Sequence, residues 1–125
     1  MFNLFLVMTG GAIGAGFRYH IGTVALHNLG PAFPWGTWIV NLLGGLLMGV
    51  LAGVLLKEGA TGEPLRLFLG TGVLGGFTTF SAFSLESATM FQRGDYALAG
   101  AYAVSSVAGS VMMLFLGLWL MRGAA

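Results

Sequence analysis

The chain has 125 residues, 57% of them hydrophobic and only 7% charged, with a formal net charge of +1. Soluble domains carry about 25% charged residues, so a mean hydropathy of +0.90 points to a lipid bilayer rather than to a water-facing surface. The near-zero charge offers no basic field for nucleic acid. The lack of cysteine excludes disulfides and thiolate metal sites.

About 20 apolar residues cross a bilayer as a helix, and four such segments are predicted within one domain spanning 1–125. The start, MFNLFLVM, has no basic n-region, so no cleavable signal peptide is expected. The first segment, roughly 2–26, ends at His27, Asn28 and LGPAFP. Gly10, Gly14 and Arg18 recur on it every four residues and share one face. Two readings of Arg18 stand: its guanidinium snorkels to the interface, or it is a fixed positive charge near a pore mouth that favours anions. His20 and His27 lie seven apart, and two ligands do not make a metal site.

The second segment, roughly 35–56, follows Pro34 and is closed by Lys57 and Glu58. Gly45, Gly49 and Gly53 line one stripe, which Asn41 continues. Small residues at this spacing let helix backbones approach, and packing is what associates helices in lipid. Asn41 lies about two turns into the helix. Its amide either bonds a neighbouring helix or donates to a passing anion.

The third segment, roughly 65–92, is reached through EGATGEP and left at QRGD. Its middle reads GTGVLGGFTTFSAFSLE. Gly75 and Gly76 tolerate unwinding dihedrals, and the hydroxyls of Thr78 and Thr79 can satisfy freed backbone groups. The helix is therefore expected to break near residues 75–79. A break in a membrane is tolerated only where protein or water covers it, so it should lie at a helix or subunit interface. Freed carbonyls there suit a hard cation held by oxygens. Phe80 and Phe83 point to one side. They are either plain packing or ring edges, electropositive by their quadrupole, that hold a small anion without a fixed charge. Glu86 is read as lying close to the interface.

The fourth segment, roughly 96–122, carries Tyr102, Ser106 and Ser110 at i, i+4 and i+8, a hydroxyl track along one face. Lys57, Arg66 and Arg122 fall on the side of both termini, Arg93 on the other, and Arg18 inside the first helix. This bias is weak. It fits either a single orientation or insertion both ways, which would allow an antiparallel dimer. Four short-looped helices are too few to enclose a wide pore, so oligomerisation is expected.

GGFTTFSAFSLE resembles the signature of the small Fluc/CrcB-type fluoride ion channels, and GGAIGAGFRY and NLLGG resemble that family's other motifs in order and spacing. The resemblance covers essentially the whole chain. It implies an all-α, four-helix membrane protein that forms an antiparallel, dual-topology homodimer with two parallel fluoride pathways in the inner membrane. It implies that Phe80 and Phe83 supply paired rings beside the pathway, that Asn41 donates a hydrogen bond along it, and that Arg18 lies at an aqueous vestibule. Thr79, Tyr102, Ser106 and Ser110 complete the implied pathway. A sodium ion, structural or activating and not transported, is implied at the dimer axis on main-chain carbonyls of Gly75 and Thr78.

Passive fluoride export is the function this implies, returning the anion after neutral HF crosses the membrane and ionises inside. A small multidrug or cation exchanger would want a carboxylate in the first helix, and none is present. A non-transporting membrane subunit would explain the glycines but not the TTFSAF segment or the hydroxyl track. No Ser/His/Asp arrangement supports enzyme chemistry.

Overall fold

The computed structural model describes residues 1–58 and 63–123, and these are almost entirely helical. Helix α1, Phe2–Leu29, stops at Gly30, whose φ of +81° only glycine adopts freely. The Gly30 N–H closes the helix on Leu26 O at 3.0 Å. After a short turn, Pro34 leads into α2, Trp35–Glu58. Residues 59–62 of the expected second turn lie outside the described residues. Beyond them, α3 (Glu63–Leu65) runs into a π-helical stretch, Arg66–Leu74, and then into α4, Gly75–Phe77. Helix α5, Phe80–Gln92, follows the break, and a turn at Gly94 (φ +84°) leads to α6, Tyr96–Gly123.

Glycine stripes decide how these rods meet. Helix α2 packs most extensively on α6, and α1 on the π-helical stretch and α4. A Cβ added at Gly45 would sit 2.5 Å from Ser110 O, and one at Gly53 2.5 Å from Met121 Cβ. On α1, a Cβ at Gly10 would sit 2.5 Å from Phe68 O, and one at Gly14 would strike Val73 O. These glycines are where backbones touch, as close packing in lipid requires.

The break lies inside the expected 75–79 window, at its C-terminal end. Gly75 keeps helical dihedrals (φ −62°, ψ −38°), as does the rest of α4. The chain unwinds instead at Thr78 (φ −85°, ψ 159°) and Thr79 (φ −150°, ψ 122°). Gly76 serves a close approach instead, because a Cβ there would strike Gly11 O where α1 crosses. The threonines are β-branched and at ease in extended backbone. Thr78 ends the first half by directing both its N–H and its hydroxyl to Leu74 O, each at 3.0 Å. Thr79 starts the second as an N-cap, its hydroxyl oxygen accepting the Ala82 N–H at 3.1 Å.

Among the described residues, Val40 and Tyr102 are the large, fully buried side chains, while Phe2, Phe17, Met112 and Trp119 are exposed on the outer helices. An apolar exterior of this extent is matched to lipid. Among the described residues, three helical segments are long and apolar enough to cross a membrane: Trp35–Leu56, Glu63–Gln92 and Tyr96–Gly123. The protein is thus an all-α, multi-pass membrane protein. Helix α1, at 28 residues, is about 42 Å long, but Arg18, Tyr19, His20 and its glycines dilute its apolarity.

Candidate functional site: a broken helix beside an open cavity

The extended pair Thr78–Thr79 leaves backbone groups without helical partners, and in a membrane each must be accounted for. Asn41 of α2 meets two of them. Its Oδ1 accepts the Thr79 N–H at 2.9 Å, and its Nδ2 donates to Thr79 O at 3.1 Å. A side-chain amide thus pairs with the break as a neighbouring strand would. One N–H of Nδ2 has no partner among the described residues. From the other side, Arg18 Nε donates to Gly76 O at 3.1 Å. The break is held by α1 and α2 together.

A definite remainder follows. Gly75 O would ordinarily accept the N–H four residues on, but that N–H, of Thr79, goes to Asn41. Gly76 O and Thr79 O are taken by Arg18 and Asn41. Gly75 O is thus without its usual partner, and Thr78 O, which lies outside the helices, has no backbone or side-chain donor among the described residues.

A cavity of about 450 Å³ opens beside this segment. It brings together Asn41, Gly75, Thr78, Thr79, Phe80 and Phe83 from α2 and the broken helix with Ser106 and Ser110 from α6. The rest of its wall is apolar, including Met48, Leu74 and Leu114. Among the described residues no charged side chain lines it. The rings of Phe80 and Phe83 lie 5.7 Å apart at 40°. Phe80 is 76% exposed, on the open side of the cavity. Phe83 packs in turn on Tyr102, 5.1 Å away at 43°. The Ser106 Oγ is buried without a partner among the described residues.

Two expected site residues lie apart from this cavity. Arg18 lines a smaller one of about 250 Å³, with Tyr19, Thr23, Thr37, Thr79 and Ala82 among its walls. Tyr102 is fully buried, and its hydroxyl donates to Glu86 Oε1 at 2.9 Å rather than continuing the line of Ser106 and Ser110. Thr37 donates to the other oxygen, Oε2, at 3.1 Å. Glu86 is therefore half-buried between two hydroxyl donors, not a free interfacial carboxylate.

The sequence reading missed Thr37, and it named Glu86 without the two hydroxyls that hold it. The signal was present: Thr37 precedes Asn41 by four, Glu86 follows Phe83 by three, and Tyr102 precedes Ser106 by four. On each helix the second network is the site's own face continued by one turn. Among the described residues no group of His, Asp or Glu could hold a metal ion, so any cation here would rest on main-chain oxygens.

A family model described as "CrcB-like protein, Camphor Resistance (CrcB)" matches residues 5–118. The chain is 59% identical over 121 residues to "Fluoride-specific ion channel FluC" of Novosphingobium aromaticivorans, covering 95% of each chain. It is 51% identical over 122 residues to the protein of that name from Mesorhizobium japonicum, covering 98% of each. With the one from Phenylobacterium zucineum it shares 56% identity over 120 residues, covering 95% of this chain and 94% of the other.

Proposed function

The chain belongs to the CrcB-like family, and from that premise we propose that it is a fluoride-selective channel carrying the anion passively out of the cell through the inner membrane. Relatives at 51–59% identity bear the name of that activity along nearly their whole length. The observation that carries the reading is the cavity itself. It gathers neutral hydrogen-bonding groups and two phenylalanine rings at an interrupted membrane helix, with no fixed charge among them.

Such a lining suits conduction, because a site must bind well enough to take up an ion and weakly enough to release it. The electropositive edges of Phe80 and Phe83 face the anion. The hydroxyls of Ser106, Ser110 and Thr79 and the second N–H of Asn41 replace part of its water. Asn41 also keeps Thr79 extended, so one residue both shapes and lines the path. Arg18, behind the broken segment, adds positive potential without binding the ion directly. Tyr102 borders the path through its ring contact with Phe83. Neutral donors of this kind favour the smallest halide, whose charge is the most concentrated.

In this reading α1 is a fourth span, and two copies assemble in antiparallel orientation, as the weak charge bias permits. The exposure of Phe80 and the opening of the cavity on one face support a wall completed by a second copy. A sodium ion fits the same face. Gly75 O is without its usual partner and Thr78 O has no donor among the described residues, and Gly75 is exposed. Bound there, sodium would satisfy carbonyl dipoles that otherwise repel across the two-fold axis and would add positive charge beside the anion path.

The test is efflux from liposomes holding only the purified protein. Fluoride should leave rapidly and chloride scarcely at all. Equal fluxes of the two halides would defeat the selective reading, and no flux of either would defeat the channel.

A further inference from the structure

Phe33 sits in the turn between α1 and α2 and does not line the cavity. The turn is rigid by construction. Gly30 takes a positive φ, Pro31 and Pro34 have fixed φ, and the Trp35 N–H closes on Phe33 O at 2.8 Å. Its ring is held by Trp35 at 4.6 Å and Trp38 at 6.4 Å. Trp38 is itself anchored to α6 by its indole N–H, which donates to Ser105 Oγ at 3.0 Å. Thus secured, Phe33 meets the Tyr102 ring 5.3 Å away at 88°, an edge-to-face contact.

Tyr102 needs such a partner. Its hydroxyl is pinned by Glu86 at 2.9 Å, but one hydrogen bond at the tip does not by itself set the plane of the ring. The plane of that ring matters because Phe83 lies against it, 5.1 Å away, and Phe80 lies against Phe83. Ring contacts thus run from the turn to the cavity. A turn that only joined two helices would not require two prolines, a left-handed glycine and an aromatic cluster to fix one side chain. We propose that Phe33 is a positioning residue, which sets the plane of Tyr102 and through it the angle at which Phe83 presents its edge to the cavity. The consequence for conduction rests on the channel reading above.

The experiment pairs flux with ring motion. Phe33→Leu keeps apolar bulk and removes the ring edge, whereas Phe33→Tyr keeps the ring. Fluoride efflux should fall about tenfold in Phe33→Leu, the scale of one lost aromatic pair, and stay within about twofold of wild type in Phe33→Tyr. Dimer content should be unchanged in both, and the thermal midpoint should fall only in Phe33→Leu, by the modest amount that lost aromatic pairing costs. With tyrosine rings isotope-labelled, and only three tyrosines present, the flip rate of Tyr102 should rise about tenfold in Phe33→Leu. Should Phe33→Leu fail to assemble, Phe33→Met makes the same cut with a more adaptable side chain. Equal losses in the Leu and Tyr variants, or an unchanged flip rate in Phe33→Leu, would overturn the proposal. If wild-type protein passes no fluoride, the channel reading falls, and the flip rate alone then decides whether Phe33 orients Tyr102.

Discussion

Asn41 grips Thr79 at both backbone groups, accepting from its N–H at 2.9 Å and donating to its carbonyl at 3.1 Å. An amide suits this double contact, since one group must accept while the other donates. Asn41→Asp keeps the acceptor but loses the donor, and an ionised carboxylate would face Thr79 O. A lost bond to a part-buried carbonyl costs roughly 1–3 kcal/mol, so the thermal midpoint should fall. Flux should fall further, because the added negative charge repels the anion. The carboxyl is ionised above its pKa, near about 4 when unperturbed. Residual efflux should therefore be lowest at neutral pH and recover in part as pH drops through that range. A pH series on folded Asn41→Asp checks this; wild-type flux at pH 7 would leave Asn41 a structural clamp only.

The two rings should separate in their effects on stability. Phe80 is 76% exposed, so Phe80→Ile should scarcely move the thermal midpoint of the dissociated protomer. Phe83 touches both Phe80 and Tyr102, and Phe83→Ile should cost about 0.5–1.5 kcal/mol from lost aromatic pairing. Both should suppress fluoride efflux strongly, since isoleucine has bulk but no electropositive edge. Wild-type efflux from both variants would reduce the rings to packing.

Gly76 and Gly16 form a matched pair of controls. A Cβ at Gly76 would strike the backbone of Gly11, whereas at Gly16 nothing lies within 4 Å. Overpacking of a close contact costs typically about 1–3 kcal/mol, so Gly76→Ala should melt clearly earlier than wild type in detergent. Gly16→Ala should match wild type or exceed it slightly, because alanine favours helix. Equal melting of the two variants would mean that α1 does not cross the broken helix at Gly11.

Sodium dependence is expected from the carbonyls left over at the break. Prolonged exchange into sodium-free buffer should lower fluoride efflux or loosen the dimer, and returning sodium should restore both, whichever side it is added from. The carbonyls of Gly75 and Thr78 require no titratable ligand, so the effect should not depend on pH between about 6 and 8, where carboxylates stay ionised. Flux and dimer content indifferent to rigorous sodium removal would leave those carbonyls to water or side chains.

Composition alone decided the medium, because a chain with 7% charge cannot solvate its own surface. Periodicity decided which faces meet: the glycines at every fourth residue are the contacts between α2 and α6 and between α1 and the broken helix. The cavity was legible for a related reason, since Asn41, Phe80, Phe83, Ser106 and Ser110 are polar or aromatic side chains at membrane depth, where few alternatives to a shared interior exist. Tertiary structure decided where the helix breaks. Local propensity marks the whole window 75–79, glycines and threonines alike, but α1 needs Gly76 helical and bare to approach. The unwinding therefore passes to Thr78–Thr79, where β-branched residues accept extended backbone and Asn41, distant in sequence, supplies the missing partners. Tertiary structure also decided the fate of Tyr102 and Arg18. Spacing places a hydroxyl or a guanidinium on a helix face. What the group bonds depends on the donors and acceptors that neighbouring helices bring within reach, here Glu86 for the one and Gly76 O for the other.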